Sequence, residues 1–275
     1  MTDYARLLDE IAEAAREAGE AIRTIVRRGF EVEAKPDSSP VTEADYAAEA
    51  IILGALARAA PGLPVIAEEE VAAGRIPAHD DRYFLVDPLD GTKEFVRGGD
   101  DYTVNIGLIE AGNPLLGVVF APATGRLHGG CVGFGSWVDE GKGRNEIRTR
   151  GRGAELAAVA SKSHLNQTTL DYLKAAVGMC DYVAVGSSLK FCIVAEGKAD
   201  IYPRASPTSE WDTAAGHAIL LAAGGLVDGP DGSPLRYGKH AFINRAFVAT
   251  SGWKPPRLDR YLEPFGGGGD LPEGL

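Results

Sequence analysis

Asp87-Pro88-Leu89-Asp90-Gly91-Thr92 closes the apolar run Tyr83-Phe84-Leu85-Val86, and the rest of the chain is read outward from it. The run predicts a buried strand. The six residues after it predict a tight turn, because proline fixes its own φ and bars Asp87 from helix, while glycine permits a sharp exit. Two carboxylates three residues apart at such a turn repel each other. A shared hard cation offsets that repulsion best, since Mg²⁺ takes a few oxygen ligands and keeps its other positions for water and phosphate. The competing reading is a plain Asp-Pro turn with one solvated Asp.

The chain has 275 residues, enough for one large domain or two smaller ones. With 45% hydrophobic and 24% charged residues it reads as globular. A net charge of -11 argues against general affinity for nucleic acid or an anionic membrane. It leaves room for a small phosphate ester, because local cations can reverse the field in one cleft. Met1-Thr2-Asp3-Tyr4 lacks the basic region of a signal peptide, and no apolar run is long enough to span a bilayer, so a cytoplasmic location is expected. Cys131, Cys180 and Cys192 show no metal or disulfide spacing and are expected to be small core residues. The scattered histidines argue against a zinc hydrolase. Residues 133–142 fail the phosphate-loop pattern, since Gly143 stands where Ser or Thr is required after Lys142.

Apolar spacing predicts an amphipathic helix over residues 3–30, closed by Gly29, and a second over 43–59 with Thr42 as N-cap. Strands are expected at 63–67, 82–87, 103–110, 115–121 and 126–132, as an antiparallel meander. The Gly- and Arg-rich stretch 140–153 reads as a connecting loop. Beyond it, strands at 156–160, 181–185 and 199–202 alternate with helices at 166–178, 187–197 and 213–223, with Gly224 as the last helix's C-cap. Two parts are therefore expected, 1–145 and 146–265, with a disordered tail at 266–275.

Three further segments carry chemistry. Pro64-Val65-Ile66 leads into Glu68-Glu69-Glu70, Thr42 and Asp45 flank the start of a helix, and Glu210-Trp211-Asp212-Thr213-Ala214-Ala215-Gly216 opens another, followed by Gly224-Gly225. In this order, from about Thr42 to Gly225, the set resembles the lithium-sensitive phosphatase superfamily of inositol monophosphatase, fructose-1,6-bisphosphatase and 3′(2′),5′-bisphosphate nucleotidase. The resemblance implies an α+β, five-layer αβαβα sandwich with the active site between two subdomains. It implies two or three Mg²⁺ held by Glu68, Glu69, Asp87, Asp90, the Leu89 carbonyl and Asp212, and a metal-activated water oriented by Glu68, Thr92 and Asp45. Substrate phosphate would meet Glu68, Asp90, Gly91, Thr92 and Asp212.

Each assignment has a rival. Glu68–Glu70 could be a solvated charge run, and the third glutamate leaves their register open by one. Asp212 could be a helix N-cap, and both roles are compatible. Asp45 could complete a capping box with Thr42. Trp211 reads as packing.

Within the superfamily, Thr92-Lys93-Glu94-Phe95 and Gly186-Ser187-Ser188-Leu189-Lys190 look like the bisphosphate nucleotidases of sulfate assimilation more than the inositol monophosphatases. The latter typically carry Asp-Gly-Thr-Thr-Asn-Phe and an inositol-contacting Glu where this chain has Ala205. A bisphosphate needs a second anion site, for which Lys190 and Arg204 are candidates with Ser187, and His164 matches a nucleotide-side residue more loosely. Against these stand a surface lysine, a loop arginine and a surface histidine; Lys93 could face phosphate or solvent. The implied activity is Mg²⁺-dependent hydrolysis of adenosine 3′,5′-bisphosphate to AMP and phosphate, extending to 3′-phosphoadenylyl sulfate. The alternatives are an inositol or sugar phosphatase, or a silent metal- or nucleotide-binding regulator. The resemblance is compatible with a monomer or homodimer and with peripheral association at the cytoplasmic face of the inner membrane.

Overall fold

The structure, a computed structural model, describes residues 3–35, 39–178 and 181–262. Cys180 and the expected tail lie outside the described residues. The first part of the chain runs α1 (Tyr4–Arg28), β1 (Val32–Ala34), β2 (Pro40–Thr42), α2 (Glu43–Ala59), β3 (Val65–Ala67), α3 (Glu68–Ala72), β4 (Arg82–Asp90), α4 (Thr92–Val96), β5 (Thr103–Glu110), β6 (Asn113–Ala121), β7 (Arg126–Cys131), β8 (Gly135–Asp139) and β9 (Arg144–Ile147). The second runs β10 (Ala158–Ser161), α5 (Gln167–Val177), β11 (Tyr182–Val185), α6 (Leu189–Ala195), β12 (Ile201–Arg204), β13 (Thr208–Ser209), α7 (Trp211–Ala222), β14 (Leu226–Asp228), β15 (Ile243–Asn244) and β16 (Phe247–Thr250).

A seven-stranded sheet in the order β3-β4-β5-β6-β7-β8-β9 is antiparallel except for the parallel pair β3–β4. Helices α1 and α2 cover one face: the apolar stripe of α1, Leu7, Ile11, Ala15, Ala18 and Ile22, meets Phe84, Val104, Ile106, Val118 and Phe120. The other face meets α6 and α7. These pack in turn on a five-stranded mixed sheet, β11-β10-β12-β16-β14, with α5 beyond it. The result is five αβαβα layers.

The contact between α7 and the large sheet is unusually close. A Cβ on Gly107 would lie 2.9 Å from the Ala215 nitrogen, and one on Gly117 only 2.4 Å from the Ala215 carbonyl oxygen. Two backbones touch there, with Ala214, Ala215 and Ala218 as the helix's small-residue face. One apolar cluster spans both parts of the chain, joining Leu85, Ile109 and Val119 to Phe191, Tyr202, Ala215 and Phe247.

Several expected boundaries move. The stretch read as a connecting loop at 140–153 contains β9, which with β8 extends the sheet; Asp139 accepts hydrogen bonds from the Gly141 and Gly143 amides (2.8 and 3.2 Å) and closes a short hairpin. The strand expected at 199–202 lies at Ile201–Arg204, because the buried Asp200 instead accepts hydrogen bonds from Arg150 and the Ala157 amide. The helix expected from 187 begins at Leu189, since Ser187 sits in the left-handed region at φ 47°. The last long helix begins at Trp211, two residues earlier than expected, and its C-cap is Ala223, with Gly224 one residue beyond at φ 97°. The glutamates at which β3 ends form the short helix α3. Cys131 and Cys192 are buried and unpaired. No helix among the described residues is long and apolar enough to cross a membrane.

Candidate active site

Strand β4 delivers Asp87 and Asp90 to the end of the large sheet. Its pairing with β5 breaks between these two residues, where Pro88 cannot donate to the ladder. Gly91 at φ 92° then turns the chain into α4. From the other elements, β3 runs into Glu68 and α7 places Asp212 in its first turn. Glu68, Asp87, Asp90 and Asp212 line one cleft of about 260 Å³, with Leu89, Gly91, Thr92, Ser187, Lys190, Arg204 and His164. Glu69 is buried but does not line the cleft; it meets Lys35 Nζ at 2.6 Å, as Glu68 does at 2.7 Å.

Burial lifts all four cleft carboxylates above their usual range. Asp87 rises well above it, through desolvation and then its neighbours Glu68, Asp90 and Asp212; Asp90 goes to about 7, through desolvation and Asp212. Asp212 reaches about 6 by desolvation, although Thr208 and the Ser209 amide donate to it. Desolvation also raises Glu68 against the pull of Lys35. Each acid takes its own local donor: the Leu89 amide for Asp87 (3.0 Å), the Asn105 amide group for Asp90 (3.4 Å). Among the described residues, no three His, Cys, Asp or Glu side chains are by themselves arranged to hold a metal ion. The donor chemistry nevertheless fits a hard divalent cation. Every donor is an oxygen, the set is strongly anionic, and its mutual repulsion is what a cation would relieve.

Asp45 completes the capping box and also faces Thr92. Its Oδ2 accepts from the Thr42 amide and hydroxyl, both at 2.8 Å, completing a capping box worth about 1 kcal/mol. Its Oδ1 faces the Thr92 hydroxyl at 3.4 Å, and that hydroxyl also lies 3.0 Å from the Leu89 carbonyl. Burial lifts Asp45 to about 6.

Lys190, which lines the same cleft, is a buried lysine rather than a surface one. Its Nζ donates to the carbonyls of Val185 (3.1 Å) and Ser187, and lies 5.2 Å from the Tyr202 ring centre. Desolvation brings it down to about 8. These bonds hold the turn in which Ser187 adopts its left-handed conformation, and the sheltered Ser187 Oγ has no partner of its own. Arg204 donates to the Pro207 carbonyl at 3.0 Å. Desolvation, Arg204 and Lys93 push His164 down to about 4. Lys93 lines the cleft and is exposed. Ala205 does not line it; its amide and carbonyl are tied to Thr169 and Asn166.

The structure adds residues that the sequence reading did not single out. Asn105, fully buried on β5, links Asp90 to Ser188 (2.7 Å), and Ser188 meets Thr103 at 3.0 Å, so the large sheet and the start of α6 share one polar chain. Lys35 and Thr208 hold acids in place. A polar residue facing inward on an otherwise apolar strand was the available signal for Asn105; Lys35 and Thr208 carried none.

Residues 3–259 match the inositol monophosphatase family, and the chain belongs to it. The chain is 43% identical over 247 residues to the 3′(2′),5′-bisphosphate nucleotidase CysQ of Salmonella typhimurium, covering 89% of this chain and 99% of that one. Its counterpart from Escherichia coli K12 is 42% identical over 244 residues, covering 88% and 98%. Among solved structures, CysQ from Bacteroides thetaiotaomicron, a bacterial member of the family, superposes with a TM-score of 0.74 at 34% identity, covering 90% of this chain and 97% of that one. An inositol monophosphatase from Anabaena gives 0.77 at 27% identity, covering 94% and 96%. Family membership implies a divalent metal cofactor, in keeping with the oxygen-rich donor set.

Proposed function

We propose that this chain is a 3′(2′),5′-bisphosphate nucleotidase that removes the 3′-phosphate of adenosine 3′,5′-bisphosphate, giving AMP and phosphate, and also accepts 3′-phosphoadenylyl sulfate. The observation that carries the reading is a cleft of mixed polarity, in which four carboxylates lifted by burial share the walls with buried Lys190, Arg204 and the unpartnered Ser187 hydroxyl. An ester with two anionic groups suits that polarity. Relatives bearing this activity at 42–43% identity support it.

Glu68, Asp87, Asp90, the Leu89 carbonyl and Asp212 would hold two or three Mg²⁺, with Glu69 beside them through Lys35. When bound, such cations neutralise phosphoryl charge and acidify a water molecule for attack on phosphorus. The chain's own groups then orient the reactants. Asp45 and the Leu89 carbonyl both face the Thr92 hydroxyl as acceptors, which turns its lone pairs toward the cleft, where they can accept a hydrogen bond from water. Amides near Gly91 and Thr92 hold a phosphate oxygen. Ser187, Lys190, Arg204 and His164 receive the nucleotide's second anion and nucleoside. No side-chain nucleophile is required. The proposal includes a cytoplasmic location, which cell fractionation tests.

The test is phosphate release with Mg²⁺, with and without Li⁺, from adenosine 3′,5′-bisphosphate and inositol 1-phosphate side by side. A strong, Li⁺-suppressed preference for the nucleotide is expected. Preference for the inositol ester would overturn the substrate assignment while leaving the acidic centre standing.

A further inference from the structure

Glu94 and Asp101 are acids of the cleft region that the proposed chemistry does not use. Both come from the first part of the chain, Glu94 from α4 and Asp101 from the segment after it, and both reach across to the second part. The buried Glu94 accepts a hydrogen bond from the Ser163 hydroxyl. Asp101 Oδ2 accepts from the Gly186 amide at 3.2 Å and lies 3.4 Å from Lys162 Nζ. The two receiving segments are themselves joined, because the Lys162 amide donates to the Val185 carbonyl at 3.2 Å. The first also carries His164, whose amide donates to Ser161 Oγ at 3.1 Å; the second leads into Ser187 and Lys190.

The approach leaves no slack. A Cβ on Gly186 would sit 2.6 Å from the Asp101 Cβ, and one on Gly91 would sit 2.7 Å from the Asp101 carbonyl oxygen. Both acids take their hydrogen bonds from the opposite part: Glu94 from the neutral Ser163 hydroxyl, and Asp101 from the Gly186 amide beside the Lys162 ammonium.

We infer that Glu94 and Asp101 form a clasp that ties the 161–164 segment and the Gly186 turn to the acidic half of the cleft, setting the position of the nucleoside side without touching the reacting phosphate. They are positioning residues. This rests on the proposed nucleotidase reading. It separates two things a phosphatase must do, since a small phosphate ester needs only the acidic centre, whereas a nucleotide also needs the segments carrying His164, Ser187 and Lys190 held at a fixed distance from it.

The experiment compares Glu94→Ala, Glu94→Gln and Asp101→Ala with the parent enzyme on adenosine 3′,5′-bisphosphate and on p-nitrophenyl phosphate, alongside amide hydrogen exchange of residues 161–164 and 185–187. Both Ala variants should raise KM for the bisphosphate roughly tenfold with kcat nearly unchanged, leave the small ester unaffected, and speed exchange in those two segments. Glu94→Gln, which can still accept from Ser163, should restore most of the loss. Equal losses on both substrates, a Gln variant as impaired as Ala, or unchanged exchange would each overturn the clasp. If the parent enzyme does not hydrolyse the bisphosphate, the nucleotidase reading fails, and the exchange measurement alone decides whether the clasp exists.

Discussion

The buried acids of the cleft and the buried Glu196 end on opposite sides of the ordinary carboxylate range. In the cleft, Glu68, Asp87, Asp90 and Asp212 are all pushed upward. Glu196, at the end of α6, is as sheltered, with 6% of its side chain exposed, yet it is held down at about 2. Burial alone would raise it; hydrogen bonds from His128 and Lys198 and the charge of Arg126 more than offset that. Glu196 is met by Arg126, Lys198 and His128, whereas in the cleft Lys35, Lys190 and Arg204 offset only part of the burial and mutual repulsion of four acids. An acid whose partners are built in is architecture. A group of acids left at high energy is a receptor for a charge that arrives from outside.

The contrast can be broken at either side. Asp90→Asn should cost the most, lowering kcat for phosphate release by about 10³-fold or more, because it removes charge from the centre that handles the phosphoryl group. Titration calorimetry should still detect nucleotide binding through Lys190, and its complete loss would mean that this binding and the acidic centre are not separable. Glu196→Gln should leave catalysis nearly intact but lower unfolding stability at pH 7 by about 3 kcal/mol, the worth of a fall from the ordinary value to about 2. The sign follows from a folded pKa below the unfolded one: the stabilisation is complete above about pH 5 and vanishes as pH falls toward 2. Denaturant melts of parent and variant should therefore converge across that window; parallel curves would refute the account. Smallest is the effect of the cation itself. Adding Mg²⁺ at about 100 times its Kd should stabilise the parent by about 2.7 kcal/mol, reversed by chelation and absent in Asp90→Asn. A stabilisation retained in that variant would place the cation elsewhere.

Much of this could be read from residue order because the acidic centre is made at points where strands run out, and such points leave marks. Proline and glycine bracket Asp90, and a glutamate run follows the strand that ends at Ala67. Thr42 and Asp45 were legible as a cap by spacing alone, whereas only the family resemblance linked Asp45 to Thr92, which its second oxygen faces. What escaped was whatever depends on long-range register. Strand β9 is short, follows a glycine-rich turn and is held only by pairing with β8, which in turn pairs with β7, so its composition reads as loop. Lys190 lies in a segment whose pattern gave no sign that its ammonium is buried against two carbonyls. Glu94 and Asp101 look like ordinary surface acids until the second part of the chain closes over them.

The glycine-lined seat of α7 on the large sheet has a consequence for synthesis. Asp212 rides on a helix encoded in the second part of the chain, but the surface that sets its height is made of Gly107 and Gly117 in the first. A nascent chain that has emerged only as far as β9 has every acid of the first part and none of the helix that completes them. It also exposes an apolar sheet face with nothing to cover it. Translation therefore delivers the last cleft acid only after nearly all of the sheet is out, and partial products are both inactive and sticky.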